Sequence, residues 1–506
     1  MAKRYYVGLD NGGSVSKAAI FDDTGKEIAI SQTQVEPIMP KAGFVERDAK
    51  ELYHVNIKCI RDVIEKSGID VGDIAALAVT GFGNGLFLVG EDGEPVYNAV
   101  ISTDSRAAGY VKSWYANGTF DNILPKTNQL IWAGQIGPLL AWFKDNMPDV
   151  IKKTRYVFTC TDFIRFKLTG EAYGEMSNMS AASIMNIKEK KYDEDVFDAL
   201  GIRACRKLLP ELKNSDEICG RITKEASRLT GIPYGTPVAG GIVDFAACPI
   251  ATGVTNEDLI SAVVGTWSIN SYIAKEPIVD RNLFMNNLYP IEGYYQLWEG
   301  SMTSASNLEW FVQKFMHEEK MQMAKVGRKV YQACDDMVAK IAPQDCPIIF
   351  LPFLFGTNVN PDAKACFLGI NYMHDKPHIL RAIFEGVVFS TMYHVEKLFK
   401  FKKSPTKSVR ISGGAANSKL WVQMFADTLN LPVEVSQAKE LGAMGAAMSA
   451  AVSTGEFRTF AEAAQKFVNI SYICYPENSA IDIYNKKYIF YKRVIEQMND
   501  LWSQWI

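Results

Sequence analysis

The stretch Tyr5-Tyr-Val-Gly-Leu-Asp10-Asn-Gly-Gly-Ser14-Val15 decides the fold. An apolar run ends at Asp10, a turn of small residues follows, and residues 15–22 return as β-branched and small apolar side chains. A second turn, Asp23-Thr24-Gly25-Lys26, leads into a third run over residues 27–35. Tight turns between successive apolar runs predict three strands in an antiparallel meander.

The same plan recurs near the middle and near the end of the chain. A strand over residues 259–264 is followed by the turn Gly265-Thr266-Trp267-Ser268 and by a returning strand. A strand over residues 408–411 is followed by Ser412-Gly413-Gly414-Ala415 and by a helix over residues 419–429. Repetition of this plan in both halves predicts an α/β protein with a duplicated core and a cleft between two domains.

The domain boundary is predicted just after Gly253. The domains are then residues 1–253 and 254–506, with the last helix free to pack back across the boundary. Between the repeated units, apolar spacing and glycine stops predict a strand over residues 74–80 and helices over the remaining periodic segments. These helices are residues 48–67, 138–146, 161–169 and 243–252.

Composition and charge exclude several classes of protein. The chain has 506 residues, 48% of them hydrophobic and 22% charged, which is the composition of a globular protein of at least two domains. Lys and Arg number 54 against 57 Asp and Glu, so the chain lacks the basic surface of a nucleic-acid binder. No apolar run reaches the ~18 residues of a membrane span. Nine Cys without a CxxC pair and only five His predict reduced thiols in the cytoplasm and no zinc site.

The first turn carries the pattern of a phosphate site. Gly and Ser let several backbone N–H groups point into one concavity, which suits phosphate oxygens. Asp10 beside Gly12, Gly13 and Ser14 offers the oxygen ligand that a hydrated Mg²⁺ prefers, and Lys17 adds a positive charge. The alternatives are an ordinary hairpin turn with Asp10 as a local acceptor, and a solvated Lys17.

A second carboxylate, Asp244, stands in the apolar segment 239–248 at a predicted helix start. Helix capping is the common role of such a residue. The other role is to accept the proton of a hydroxyl during phosphoryl transfer. The chain has no GxxxxGK[ST] motif, and Gly81-Phe-Gly-Asn-Gly85 ends in Leu86 where a dinucleotide fingerprint needs a sixth-position glycine.

Taken together, these residues resemble the FGGY carbohydrate kinase family over essentially the whole chain and in the family's order. With this resemblance, functional roles for Asp10 and Asp244 are favoured over the roles of local acceptor and helix cap. Within the family, residues 264–267, 304–310 and 350–356 look most like bacterial L-xylulose kinases. The matching segments are residues 9–17, 43–48, 102–106, 168–170, 240–244, 265–266, 365–385, 413–415 and 442–446.

The resemblance implies two ribonuclease-H/actin-like domains with ATP and a sugar bound between them. Asp244 would accept the proton of a terminal sugar hydroxyl, and Asp10 would hold Mg²⁺ through water. Residues 442–446 would form a nucleotide-side loop. The residues implied to bind the nucleotide and its phosphates are Gly12, Gly13, Ser14, Lys17, Gly265, Thr266, Gly414, Ala415 and Asn417.

On the sugar side, the resemblance and the chemistry of polar and indole side chains point to Asn84, Asp104 and Trp132, together with Asp244. Each of the first three has a structural alternative. Asn84 can be a turn residue, Asp104 can pair with Arg106, and Trp132 can belong to the core.

The first expectation for the substrate is a 2-ketopentose such as L-xylulose. Gluconate, 3-keto-L-gulonate and polyols remain open on the same fold. Phe82-Gly83-Asn84 replaces the Met-His-Gly of D-xylulose kinases, and Phe245 replaces the glutamine of glycerol kinases. Two rivals of another class are a non-catalytic sugar or nucleotide sensor and an actin- or chaperone-like ATPase. A homodimer is left open.

Overall fold

The computed structural model describes residues 3–354, 356, 357, 360 and 362–504. The chain divides into two compact units, each assembled from several stretches. Unit 1 comprises Met1–Thr255, Ile273–Leu297 and Ala438–Asn469, and unit 2 comprises Asn256–Tyr272, Trp298–Gln437 and Ile470–Ile506. The boundary after Gly253 stays a prediction, because each unit also takes in later segments of the chain.

The strands, in chain order, begin with the predicted meander. They are β1 (Tyr5–Asn11), β2 (Val15–Asp22), β3 (Glu27–Gln34), β4 (Glu46–Arg47), β5 (Ile74–Gly81), β6 (Phe87–Val89), β7 (Ala99–Val100), β8 (Tyr156–Phe158), β9 (Tyr173–Glu175), β10 (Met185–Asn186), β11 (Lys191–Tyr192), β12 (Glu211–Lys213), β13 (Ile218–Arg221), β14 (Pro237–Ala239), β15 (Ile242–Val243), β16 (Leu259–Val264), β17 (Ser268–Ala274), β18 (Met285–Leu288), β19 (Tyr295–Ser301), β20 (Ile349–Leu351), β21 (Cys366–Leu368), β22 (Ser408–Ser412), β23 (Val433–Ser436) and β24 (Ile470–Cys474).

The predicted helices are present with ends shifted by one or two residues. The α-helices are α1 (Ala49–Ser67), α2 (Ala108–Ala116), α3 (Thr119–Thr127), α4 (Ile136–Asn146), α5 (Pro148–Lys153), α6 (Cys160–Thr169), α7 (Met176–Met179), α8 (Glu194–Ala199), α9 (Lys224–Thr230), α10 (Asp244–Ala251), α11 (Ser306–Phe315), α12 (His317–Lys325), α13 (Val330–Val338), α14 (Lys376–Phe401), α15 (Lys419–Leu429), α16 (Leu441–Ser453), α17 (Phe460–Phe467) and α18 (Asn478–Trp502). Among the residues that the structure describes, no helix is both long and apolar enough to cross a membrane.

The first large sheet has the strand order β13-β14-β5-β1-β2-β3, with β15 also paired to β5. The meander is confirmed, because β1–β2 and β2–β3 are antiparallel pairs. Both β1 and β15 run parallel to β5, on its two sides: Asp10 lies opposite Thr80, and Ile242 lies opposite the same residue. The carboxyl ends of β1 and β15 therefore meet at one edge of the sheet.

The second large sheet repeats this plan, as predicted. Its order is β18-β19-β17-β16-β22-β23-β24. β16 pairs antiparallel with β17 and parallel with β22, as β1 does with β2 and β5. A turn of small residues follows β16, and another follows β22, so unit 2 contains the equivalents of the first unit's central strands and turns.

The two faces of β1 bury different helices. Val7 and Leu9 point into a core shared with α1 and α6, and Asn11 on that face bonds to Asn56 of α1. Gly8 and Asp10 point to the other face, where α16 packs. A side chain on Gly8 would overlap the carbonyl oxygen of Ala443, so the helix can approach the sheet only because this position is glycine.

We predict that Gly8→Ala lowers the stability of unit 1. The methyl group has no space between β1 and α16, and overpacking of this kind costs about 1–3 kcal/mol. The midpoint of thermal unfolding, followed by calorimetry, should fall. Gly109→Ala is the matched control, because Gly109 lies in α2 with nothing within 4 Å of the added carbon, and alanine favours a helix. Equal midpoints for the two variants would contradict the packing described.

Candidate active site

Asp10 and Asp244 lie in unit 1 at the shared edge of the first sheet. Asp10 is the penultimate residue of β1, and Asp244 follows β15 directly as the first residue of α10. Both side chains are partly exposed. The structure thus brings the two predicted acidic residues close enough for the charge of Asp10 to act on Asp244.

Burial by surrounding protein raises the pKa of both carboxyl groups. The pKa of Asp244 rises to about 7, chiefly through loss of solvation and then through the negative charge of Asp10. Backbone N–H groups of Phe245, at 2.7 Å, and of Gly83 bond to the Asp244 carboxylate and oppose the rise. The pKa of Asp10 rises to about 6 through burial, with Lys17 opposing and Glu440 adding to the rise. Two neighbouring carboxylates with near-neutral pKa values are typical of a catalytic site.

Lys17 lies opposite Asp10 in the β1–β2 register and is half-buried. Its Nζ forms an ion pair with Glu440 at 2.7 Å. Burial alone would lower the pKa of Lys17, but the bond and charge of Glu440, with Asp10, raise it. Lys17 is therefore not the solvated lysine of the alternative interpretation. The sequence interpretation missed its ion-pair partner, Glu440.

The segment 442–446 is not a loop. The prediction of a loop there was wrong, because these residues form the first turns of α16, in unit 1, whereas their place beside the nucleotide stays a prediction. Gly442 packs directly on the Asp10 carboxylate, and a side chain there would overlap it. The run of small residues allows the helix to pack closely on β1 and α10.

The first turn has free amides at its tip. Gly12 N–H closes the turn on Val15 O at 3.0 Å. Gly13 and Ser14 are exposed, and among the described residues their N–H groups donate no backbone hydrogen bond. Such a turn can present amides to phosphate oxygens.

The other two turns come together in unit 2. Gly413 has a left-handed φ of 86°, and a side chain there would crowd Val264 and the Gly265 amide. Gly265 O and Thr266 O accept from the amides of Ala305 and Ser304, just before α11. Gly414 and Asn417 are exposed, whereas Ala415 is buried. Every predicted nucleotide residue of unit 2 thus belongs to one cluster of turns.

Asn84 lies beside Asp244, because the Gly83 amide bonds to that carboxylate. Its φ of 64° shows the turn conformation that was the structural alternative. The side chain is 2% exposed, and its Oδ1 has no hydrogen-bond partner among the described residues. A buried amide oxygen without a donor is a candidate acceptor for a substrate hydroxyl.

Asp104 pairs with Arg106, which was the structural alternative to sugar binding. Both carboxylate oxygens bond to the Arg106 guanidinium at 2.9 Å, and the Val45 amide adds a bond of 2.7 Å. Arg106 also bonds to Glu46 at 2.7 Å, and all three side chains are buried. Direct sugar binding by Asp104 stays a prediction, whereas its role in a buried ion-pair network is observed.

Trp132 is half-buried and stacks on Phe284 with ring centroids 5.3 Å apart. Two residues on, Gly134 O accepts from the Gly85 amide at 2.9 Å, which joins the Trp132 segment to the Asn84 turn. The indole is thus partly core and partly surface, next to the candidate sugar side. Its contact with a sugar stays a prediction.

A buried carboxylate supports the strand that carries Asp244. Glu175 accepts from Ser177 Oγ at 2.6 Å, and Ser177 Oγ in turn accepts from the Val243 amide at 3.3 Å. Burial raises the pKa of Glu175 to about 7, with bonds from Ser177 and Ser215 opposing the rise. Ser177 and Glu175 were missed, because Ser177 lies 66 positions before Val243 and no local pattern links the two.

The paired carboxylates and the turn with free amides in unit 1, together with the repetition of its sheet plan and turns in unit 2, fit an ATP-dependent sugar kinase with two ribonuclease-H/actin-like domains. The chain belongs to the FGGY family of carbohydrate kinases: the family's N-terminal domain matches residues 5–250 and its C-terminal domain matches residues 260–454.

The chain is similar to named relatives over nearly its full length. It is 33% identical over 493 residues to the L-xylulose/3-keto-L-gulonate kinase of Escherichia coli K12, covering 97% of each chain. It is 34% identical over 453 residues to a probable L-xylulose kinase of Pasteurella multocida, covering 89% of this chain and 91% of the relative. A gluconate kinase structure from Lactobacillus acidophilus superposes with a TM-score of 0.90 at 23% identity, over 99% of this chain and 100% of that chain, which shows the same fold.

We predict that Asp244→Asn makes the protein more stable at high pH. The unfolded carboxyl ionises near pH 3.8 and the folded one near pH 7. Between these values the unfolded chain releases a proton that the folded chain keeps, so the native side chain loses stability as pH rises and the loss is complete above pH 7. The amide avoids this cost, which at about 1.4 kcal/mol per pKa unit is at most about 4 kcal/mol.

The measurement is the difference in unfolding midpoint between the variant and the native chain at pH 5 and pH 8. The difference should be larger at pH 8. Contributions of Glu175 cancel, because that residue is present in both proteins. A difference that is the same at both pH values would show that Asp244 ionises in the ordinary range.

Proposed function

We propose that this kinase transfers the γ-phosphate of ATP to a terminal hydroxyl of a small neutral sugar, most directly a 2-ketopentose such as L-xylulose. The observation that carries the proposal is Asp244: a carboxylate with a pKa near 7, fixed by two amides beside an unpartnered Asn84 oxygen. A general base works best with a pKa near the operating pH.

In this mechanism Asp244 accepts the proton of the attacking hydroxyl. The Gly83 and Phe245 amides hold the carboxylate in one orientation, so the free oxygen lone pairs face the acceptor. Asn84 Oδ1 would accept a hydrogen bond from a neighbouring hydroxyl. The transferred phosphoryl needs little covalent assistance, so most of the rate gain comes from positioning and charge compensation.

Asp10 fits a hydrated Mg²⁺. Neither of its carboxylate oxygens accepts a hydrogen bond from the described residues, and its side chain is partly exposed beside the first turn. Among the described residues, no group of three or more His, Cys, Asp or Glu side chains is arranged to hold a metal ion. A Mg²⁺ ion at Asp10 would therefore keep most of its waters. When bound, Mg²⁺ would neutralise phosphate charge.

The proposed phosphate contacts come from both units. Gly12, Gly13 and Ser14 would donate amides in unit 1, with Lys17 supplying charge. In unit 2, Gly265 and Thr266 would serve phosphate oxygens, and Gly414, Ala415 and Asn417 would line the nucleotide. The contacts in unit 1 rest on the family resemblance together with the free amides of Gly13 and Ser14, and those in unit 2 rest on the family resemblance and on the clustering of its two turns.

A neutral sugar is favoured over a sugar acid by the state of Arg106. Its charge is already balanced by Asp104 and Glu46, both within 3 Å. This pairing leaves little unbalanced positive charge on Arg106 for a substrate carboxylate. The names of three curated relatives mention L-xylulose, which supports a 2-ketopentose, and one of these names also mentions 3-keto-L-gulonate, so the names do not separate a neutral sugar from a sugar acid.

The sensor alternative requires no general base. A sensor has no use for a carboxylate held at near-neutral pKa beside the acceptor side. We also propose that the enzyme works in the cytoplasm, the compartment that supplies ATP to sugar metabolism. A homodimer stays a prediction.

The function is tested by a coupled ADP-release screen over ketopentoses, polyols and aldonic acids. We expect the highest kcat/KM with L-xylulose or a related 2-ketopentose, at least about 10-fold above aldonic acids. ATP consumption with no dependence on any sugar would favour the ATPase alternative. Nucleotide binding without any turnover would favour the sensor.

We predict that Asp244→Asn lowers kcat by about 10²–10⁴-fold while the Kd for ATP changes little, since the amide cannot accept the hydroxyl proton. Initial rates by coupled ADP release and nucleotide binding by calorimetry provide the two numbers. Asp216→Asn is the matched control: this aspartate of unit 1 is also partly buried and has a raised pKa, yet it lies in the turn between β12 and β13. Near-normal turnover in the Asp244 variant would move the role of base to another group.

A further inference from the structure

Arg47, the second residue of β4, is completely buried beneath the first turn of unit 1. Its guanidinium donates to the carbonyl oxygens of Gly12, at 3.3 Å, and of Gly13. It also lies 5.5 Å from the centre of the Phe82 ring. The turn that is exposed at its tip is thus held from below by a single side chain.

These two bonds fix the direction of the turn's amides. A trans peptide unit is planar, and its C=O and N–H groups point in opposite directions. When Gly12 O and Gly13 O point down to Arg47, the N–H groups of Gly13 and Ser14 point away from it. Arg47 therefore orients the very amides that remain free at the surface.

The charge of Arg47 is not balanced by a carboxylate. Two other arginines of unit 1 are equally enclosed, and both are paired: Arg106 with Asp104 and Glu46, and Arg165 with Asp162 at 3.0 Å. Arg47 has no carboxylate within 4 Å among the described residues, its Nε has no partner, and burial lowers its pKa.

The neighbouring carboxylate does not compensate this charge. Glu46 precedes Arg47 in the chain but is bonded to Tyr97, Asn98 and Arg106. A buried cation without a counter-charge is costly, and an anion bound close by reduces that cost. The free amides of the turn show where such an anion would sit.

We propose that Arg47 is a positioning residue for the phosphates of the nucleotide: it holds the first turn in its phosphate-binding conformation, and its uncompensated charge is balanced by the bound phosphate. The proposal rests on the proposed function for its ligand. Arg47 acts through the Gly12 and Gly13 carbonyls and makes no contact with the phosphate itself.

The test compares binding of ATP and of adenosine by calorimetry in the native chain, Arg47→Met and Arg47→Lys. Adenosine lacks phosphates, so a defect in the first turn should spare it. We expect Arg47→Met to weaken ATP binding by about 10- to 100-fold and adenosine by less than about threefold. Arg47→Lys keeps the charge but loses the two donor nitrogens of the guanidinium, so its affinity for ATP should lie between that of the native chain and that of Arg47→Met.

Arg155→Met is the control for loss of one positive charge from unit 1, because Arg155 is exposed and pairs with Glu91. It should leave the affinity for ATP unchanged. Equal weakening of ATP and adenosine by Arg47→Met, or no weakening of either, would overturn the proposal. If that variant does not fold, Arg47→Lys gives the same comparison. Because the readout is binding, absence of sugar-dependent ADP release in the native chain would contradict the proposed function alone.

Discussion

The parallel pairing of β1 and β15 with the central strand β5 is the constraint on which the rest of the site depends. Because of this pairing, β1, near the beginning of the chain, and β15, which ends at Val243, end at the same edge of one sheet. Asp10 and Asp244 stand at those ends, where both stay partly exposed and the surrounding protein raises their pKa values. Small residues of α16 and Gly8 allow the helix to close one side without filling the space that the carboxylates need.

Electrostatics then separates the roles of the two acids. Lys17 opposes the rise in the pKa of Asp10, whereas Glu440, which pairs with that lysine, adds to it, and the pKa of Asp10 is raised to about 6 against about 7 for Asp244. Among the described residues, Asp244 has no cation in hydrogen-bond contact; burial and the charge of Asp10 raise its pKa to about 7, against the opposing effect of the Phe245 and Gly83 amides. The first group suits a bound cation and the second suits proton transfer. Three further side chains, Ser177, Glu175 and Arg47, stabilise the backbone that carries the site. Their hydrogen bonds go to the strand before Asp244 and to the first turn.

The sequence allowed the meander, the repeated sheet plan, the three turns and both aspartates to be predicted, because each has a local pattern of apolar runs, small residues or a charge in an apolar segment. It did not reveal Glu440, Arg47 or Glu175, since their partners are 423, 35 and 40 positions away along the chain. The small residues at 442–446 were misassigned to a loop for a physical reason: glycine and alanine serve both tight turns and close helix packing, and only the position of β1 distinguishes them. Asp104 illustrates a different limit, because carboxylates that bind sugars and carboxylates that pair with arginine have the same local pattern.

The most direct test of the account is a titration of buried carboxyl groups by difference infrared spectroscopy, with the native chain, Asp244→Asn and Asp10→Asn compared from pH 4 to about pH 9. The account predicts a carboxyl band that titrates near pH 7, disappears in Asp244→Asn and moves to lower pH in Asp10→Asn, because removal of the neighbouring charge favours ionisation. Glu175 contributes equally to all three proteins and cancels in the differences. A difference between the native chain and Asp244→Asn that contains no carboxyl band titrating near pH 7, or an Asp244 band whose pKa is the same with and without Asp10, would contradict the claim that these two carboxylates form one coupled site.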